Sequence, residues 1–245
     1  MIGIIGFGRF GELIAKYLAE DFKVLVYNRS DKKSEIQKIG AYAATLQEVC
    51  LQDIIILSVP ISIFKNVLKE IAVHLKQNTL VIDVCSVKEY PVKWMKEFLP
   101  EGVFILATHP MFGPDSAAAS IKGKKMVLCR ERIEDELYQK IKSYLYSKDL
   151  VLIETTPQDH DKQIAVSLSL THFIGRSLSE FGAVRLDIDT EGYKRLLHIL
   201  GVVEHDTMQL FLDMHRYNPY AGEKRSEFMA AMKRIDDKLN NYTEV

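Results

Sequence analysis

Read for the spacing of its apolar residues, the chain changes character near residue 157. Before that point, short runs that are apolar almost throughout recur at 2–6, 23–27, 53–58, 79–83, 103–108, 125–128 and 150–154. Such runs read as strands, and their lack of alternation predicts burial on both faces, as in a parallel sheet covered by helices. Between them, 12–19, 34–39, 63–75, 91–98 and 133–145 carry apolar residues at helical spacing. Strands and helices in alternation specify βαβ units. The expectation is an α/β fold, a Rossmann domain with a doubly wound parallel sheet over 1–157. From 158 to 245 only helical periodicity remains, in 159–178 and in the stretches opening at Gly192 and His205, so an all-helical C-terminal domain is expected. The boundary falls in Thr155-Thr156-Pro157-Gln158. Pro219 should end or kink the helix before it, and the polar end, 240–245, should fray.

Composition removes several classes of function. A formal net charge of -1 gives no electrostatic case for nucleic acid or for an anionic membrane. No run approaches the ~20 apolar residues that a spanning helix needs. With the first strand opening at Ile2, neither a signal nor a transit segment is expected. Cys50, Cys85 and Cys129 each lie in or beside an apolar run and read as buried, reduced thiols, which suits the cytoplasm.

The densest local signal is Gly6-Phe7-Gly8-Arg9-Phe10-Gly11, which follows the first strand and opens a helix. That context is what dinucleotide binding requires. The first glycine makes the tight turn, the second admits the pyrophosphate, and the third lets helix and strand approach. The end of the second strand, where an acidic residue would hold a ribose 2′-hydroxyl, is Asn28 here, followed by Arg29 and Ser30. No carboxylate at the strand end repels a 2′-phosphate, and Arg29 and Ser30 can bond one, so NADP is the expected cofactor and NAD the second possibility. Asp31 and the alternative of a merely solvated Arg29 weigh on the other side. Val59 and Pro60, after the run 53–58, are assigned to the same site.

Two further strand ends carry chemistry. One reads Asp83-Val84-Cys85-Ser86-Val87-Lys88, the other Thr108-His109-Pro110-Met111-Phe112-Gly113-Pro114-Asp115. Open α/β sheets bind ligands at these carboxyl ends. His109 and Ser86 beside a nicotinamide suggest oxidation of an alcohol, with the imidazole taking the hydroxyl proton. The clusters Asp159-His160-Asp161 and Glu204-His205-Asp206 lack the further ligands that a metal site needs, and no metal is expected.

HPMFGP after DxxSVK, in a chain that opens with GxGxxG, closely resembles the prephenate/arogenate dehydrogenase family. The resemblance continues through Asp159-His160-Asp161, 171–176, 189–193 and Tyr217-Asn218-Pro219, and its second half is most similar to the plant arogenate dehydrogenase branch. It implies oxidative decarboxylation of a cyclohexadienyl small molecule. His109 would act as base, with Ser86 orienting the hydroxyl. His172 would lie near a substrate carboxylate in the cleft, and Asp115 would face an ammonium. The second-domain arginine of bacterial members aligns with Leu212 here, so Arg176 and Arg216 are the alternative carboxylate partners. A homodimer is implied as well. The expected activity is NADP-dependent conversion of arogenate to tyrosine. The alternatives are prephenate giving 4-hydroxyphenylpyruvate, and a catalytically inactive NADP-sensing module.

Overall fold

A computed structural model describes residues 1–242, so the last three residues of the segment expected to fray lie outside it. The chain divides into two compact units, Met1–Gln158 and residue 159 onward. In the first unit eight strands run β1 (Ile2–Ile5), β2 (Val24–Tyr27), β3 (Tyr42–Ala43), β4 (Ile54–Leu57), β5 (Leu80–Asp83), β6 (Phe104–Pro110), β7 (Lys125–Arg132) and β8 (Val151–Glu154). They form one sheet in the order β3-β2-β1-β4-β5-β6-β7-β8. The strands are apolar because the central ones have no solvent face: Ile4, Ile55, Leu57, Val81 and Ile105 are all fully buried. Helices α1 (Arg9–Ala19), α2 (Lys33–Lys38), α3 (Leu46–Cys50), α4 (Ile61–Ala72), α5 (Glu89–Phe98) and α6 (Asp135–Ser147) connect them.

The architecture is the expected doubly wound sheet, with three departures. Strand β7 runs antiparallel to β6, whereas every other pairing is parallel. The connection 111–124 holds no helix, and without a crossover helix the chain turns back beside β6 instead of crossing over the sheet. Strand β6 also continues through His109 and Pro110, because pairing with β7 supplies ladder partners beyond the apolar run. The short elements β3 and α3 had no periodic signal of their own. Helix α3 is fixed instead by a capping box in which Thr45 and Glu48 bond one another's backbone.

The second unit is helical: α7 (Pro157–Ile164) runs through a π-helical stretch, Ala165–Leu170, into α8 (Thr171–Phe181), followed by α9 (Glu191–Glu204), α10 (Met208–Arg216) and α11 (Ala221–Asn240). Among the described residues no strand follows β8. Gly182 ends α8 at φ +79°, the left-handed conformation glycine tolerates. Gly175 lets α8 and α9 touch, since a Cβ there would lie 2.7 Å from Val203 Cγ2. Pro219 stands between α10 and α11, and the buried Asn218 donates to the Asp161 carbonyl (2.8 Å). All three cysteines are buried, none of them in a disulfide among the described residues, and burial pushes the Cys50 thiol up to about 11. No described helix is long and apolar enough to cross a membrane.

Candidate active site

The register of β1, β4, β5 and β6 brings their carboxyl ends side by side, with Ile5 opposite Leu57, Leu57 opposite Asp83, and Asp83 opposite Ala107. The glycine motif leaves the first of these. Gly6 has φ +101°, and a Cβ on it would stand 2.1 Å from the Ser58 carbonyl oxygen, so a side chain is excluded on both counts. A Cβ on Gly11 would lie 2.2 Å from the Gly6 carbonyl oxygen, which sets how closely α1 approaches the turn. Nothing stands within 4 Å of a Cβ built on Gly8: the backbone there faces open space at the start of α1. The first intrahelical bond is Glu12 N–H to Gly8 C=O (2.9 Å), so the amides of Arg9, Phe10 and Gly11 have no carbonyl of their own helix to bond. Open backbone at the positive end of a helix dipole fits a dinucleotide pyrophosphate. Val59 adjoins this turn, its Cγ1 3.0 Å from a Cβ on Gly6, and Pro60 is the residue that precedes α4.

Asn28 links the turn to the end of β2. Its Oδ1 accepts from Phe7 N–H (3.0 Å), and its Nδ2 donates to Ser30 Oγ (2.9 Å) and to the Ser30 carbonyl. The Ser30 hydroxyl hydrogen is thereby left to point elsewhere, and Ser30 and Arg29 are both exposed. The opposite side of the turn meets the loop after β6. Arg9 donates to Asp115 Oδ1 (2.6 Å) in an exposed pair, and the rings of Phe10 and Phe112 lie 6.3 Å apart.

His109, buried to 7 % exposure, sits within β6 opposite Val127. The Ser86 Oγ, in the loop after β5, is buried and has no hydrogen-bond partner. Residues next in sequence to these two are joined by a pair to which the sequence reading assigned no role. Asp83 and Lys88 form a fully buried ion pair. Lys88 Nζ also donates to the Thr108 carbonyl (2.5 Å), Thr108 Oγ1 donates to the Asp83 carbonyl (2.7 Å), and Cys85 N–H donates to Asp83 Oδ1 (2.9 Å). The loop that carries Ser86 is thus fastened to the residue preceding His109. Burial pushes the Asp83 carboxyl up, against the opposing pull of the Lys88 ammonium and the Cys85 amide. The signal for this pair was present: both residues bracket the DxxSVK segment, next to apolar positions where a lysine is costly unless paired.

The second-unit residues fall into two groups. His172, buried on α8, has Nε2 3.7 Å from Asp206 Oδ2 and a buried Nδ1 without a partner. Burial holds its pKa below the usual value; Asp206 opposes this and Arg176 adds to it. Arg176 donates to the Asp206 backbone carbonyl, which gathers His172, Arg176 and the α9–α10 turn together. Arg216 stands apart from them. It is exposed, with its guanidinium 5.7 Å from the centroid of the Tyr217 ring. His160 and Asp161 are buried and bonded to each other (2.7 Å), and among the described residues no group of three or more His, Cys, Asp or Glu side chains could hold a metal ion.

Fold and site together define a dinucleotide-binding α/β protein with a histidine and a serine at the ligand-binding edge of its sheet. Residues 14–154 match the family described as prephenate dehydrogenase, nucleotide-binding domain, and residues 177–244 match a TYRAAT1-like C-terminal domain. Over 97% of its length the chain is 33% identical to arogenate dehydrogenase 1, chloroplastic, and 32% identical to arogenate dehydrogenase 2, chloroplastic, both from Arabidopsis thaliana. It spans 39% of the first and 69% of the second. Its fold is similar to that of prephenate dehydrogenase from A. aeolicus, in complex with hydroxyphenyl propionate and NAD+, with a TM-score of 0.75, 19% identity, and 97% of this chain and 90% of that one covered. The chain belongs to the prephenate/arogenate dehydrogenase family of oxidoreductases.

Proposed function

We propose that this chain catalyses the NADP-dependent oxidative decarboxylation of arogenate to tyrosine. The observation that carries the reading is the unpartnered Ser86 hydroxyl after β5 and His109 at the end of β6, on the same edge of the sheet as the glycine turn after β1. Ser86 Oγ bonds the ring hydroxyl and orients it toward the His109 imidazole. His109 holds the hydroxyl proton while the C4–H bond breaks, then returns it to the phenolate oxygen as the ring becomes aromatic. The hydride leaving C4 is taken up by the oxidised nicotinamide, the chemistry that the bound dinucleotide supplies. The electrons of the C1–carboxylate bond pass into the ring as carbon dioxide departs, and aromatisation makes the step irreversible.

Gly6, Gly8 and Gly11, with Phe7, Arg9, Phe10, Val59 and Pro60, form the cradle for the dinucleotide. Asn28 holds Ser30 so that Ser30 and Arg29 can meet a 2′-phosphate. His172 and Arg176 serve the substrate carboxylates, and Arg216, exposed beside Tyr217, is the weaker partner. Arogenate is favoured over prephenate by the identity to the two plant arogenate dehydrogenases and by Asp115, whose carboxylate suits an ammonium. Its exposed pairing with Arg9 is worth only about 0–1 kcal/mol, little enough for a ligand ammonium to displace. The enzyme acts as a homodimer in the cytoplasm, where buried thiols stay reduced.

Steady-state assays of arogenate and prephenate, each with NADP and NAD, test this reading. Turnover should be fastest with arogenate and NADP, and Arg29→Ala should weaken NADP while sparing NAD. Preference for prephenate in the wild type would transfer the reading to that substrate. A chain that binds NADP but reduces it with neither would be a sensor.

A further inference from the structure

The sheet of the first unit is covered unevenly, and the cause lies in its topology. Right-handed crossovers put α4 and α5, which lead from β4 through β5 to β6, on one face and α1 on the other. Because β7 and β8 run opposite to β6, α6 falls on the face of α1. No helix of the first unit therefore lies over β4, β5 and β6 on that face, and α1 and α6 flank the gap. The residues of β5 record it. Ile82, and Val84 just past the strand, are only half-buried, while Val81 and Asp83 on the opposite face are fully buried.

The gap is a cavity of about 300 Å³, floored by Ile54, Ile82 and Val84 and walled by Leu18 of α1 and Ile141 of α6. The two helices are fastened to each other at their C-terminal ends. The Tyr144 hydroxyl and the Lys148 ammonium both bond Asp21 (2.8 and 2.5 Å), and the Phe22 and Tyr144 rings lie 5.1 Å apart. Tyr17 donates to the Ala117 carbonyl (3.1 Å), which joins α1 to the connection after β6. Protein interiors keep few voids larger than a water molecule, and an apolar one stays dry and accepts apolar molecules.

The polar groups of the lining say what cannot enter. Five lining residues carry one, and each spends it elsewhere: Tyr17, Tyr144 and Lys148 as above, Thr108 Oγ1 on the Asp83 carbonyl, and Lys140 on Glu136. An ionised ligand would lose its water there and find no free partner in return. That argument excludes arogenate, prephenate and tyrosine, all of which are charged. Size narrows the class further. The cavity has about twice the volume of the ~150 Å³ apolar cavity that takes one benzene, which is room for about two fused rings.

We propose that this cavity is a second ligand site of the chain, which takes an uncharged, apolar molecule the size of about two fused rings. It backs onto the strands of the candidate active site. Thr108 and Pro110, both in its lining, flank His109 in β6, so the histidine side chain lies on the opposite face. The site goes beyond the assigned reaction and stands or falls independently of it.

Naphthalene is the test ligand, and 2-naphthoate, the same rings bearing a carboxylate, is its control. Titrated into the full chain and followed by its fluorescence, naphthalene should bind saturably with a dissociation constant on the order of 10–100 µM. It should raise the melting temperature by about 2–4 °C. 2-Naphthoate should bind roughly ten-fold more weakly or worse. Saturating NADP should leave the naphthalene affinity unchanged, because the dinucleotide cradle is at the other end of α1. Ile141→Trp and Leu18→Phe fill the cavity from opposite walls. Each should weaken naphthalene roughly ten-fold or more, while the melting temperature of the free chain holds or rises and NADP binds as in the wild type. If one variant fails to fold, the other decides. Absence of saturable binding, displacement by NADP, tighter binding of 2-naphthoate, or unchanged naphthalene affinity in the folded variants would each overturn the site.

Discussion

His109 lies one residue from the end of β6 and is paired with Val127 of β7, so its backbone is held by a sheet instead of a loop. Replacing it with asparagine should keep the fold and NADP affinity and lower turnover roughly 10²–10⁴-fold, the usual worth of a general base. Near-normal turnover of His109→Asn would remove it from the mechanism. The histidines of the second unit give a pH signature of their own. His215 faces Arg225 and His172; His172 faces Asp206 and Arg176; and both have depressed pKa values in the folded chain. Between the unfolded value near 6.5 and the folded value of about 4, the unfolded state binds more protons at His215, so stability must rise with pH across that window. Chemical denaturation at pH 7, 6 and 5 should show stability falling with acid, and His215→Phe should flatten the slope. An unchanged slope would mean that His215 is not buried as a neutral ring. The sequence named His109 and Ser86 because a motif surrounds them. It passed over His215 and Arg225, which are ten positions apart and meet only once α10 and α11 pack.

The elements that carry the site are held by hydrogen bonds that no periodicity reports. Strands β5 and β6 were legible as apolar runs, and β1 with its glycine turn was legible as a motif. The antiparallel turn-back into β7 was not, since an apolar run specifies a strand without specifying its direction. The Asp83–Lys88 pair ties the loop after β5 to β6, and removing one partner leaves the other charge buried and uncompensated. Lys88→Met should therefore cost about 3–5 kcal/mol, read as a lower denaturation midpoint. Adding Asp83→Leu to Lys88→Met should recover most of that stability without restoring activity, because the loop that presents Ser86 stays unfastened. Were the double variant as active as the wild type, the pair would be packing alone, with no part in positioning Ser86 and His109.

At the scale of the whole molecule, α11 leaves Met229, Met232, Ile235 and Leu239 between 50% and 73% exposed. At ~100° per residue these positions share one face of the helix, and a self-complementary apolar stripe is what a two-fold dimer buries. Light scattering on the purified chain should give the mass of a dimer, and Ile235→Glu should shift it to the monomer. A wild-type monomer at micromolar concentration would sink the dimer. The sequence by itself determined the longer elements and the glycine turn that follows the first strand. Burial on both faces demands continuous apolar strands, a pyrophosphate demands glycines at fixed spacing, and both are local requirements that a local pattern can carry. The tertiary structure alone decided which charges are neutralised inside the protein and which pair at its surface. Asp83 with Lys88, Arg9 with Asp115, and His215 with Arg225 are each made by elements brought together in space, and a side chain's protonation and pairing depend on the neighbours that folding supplies.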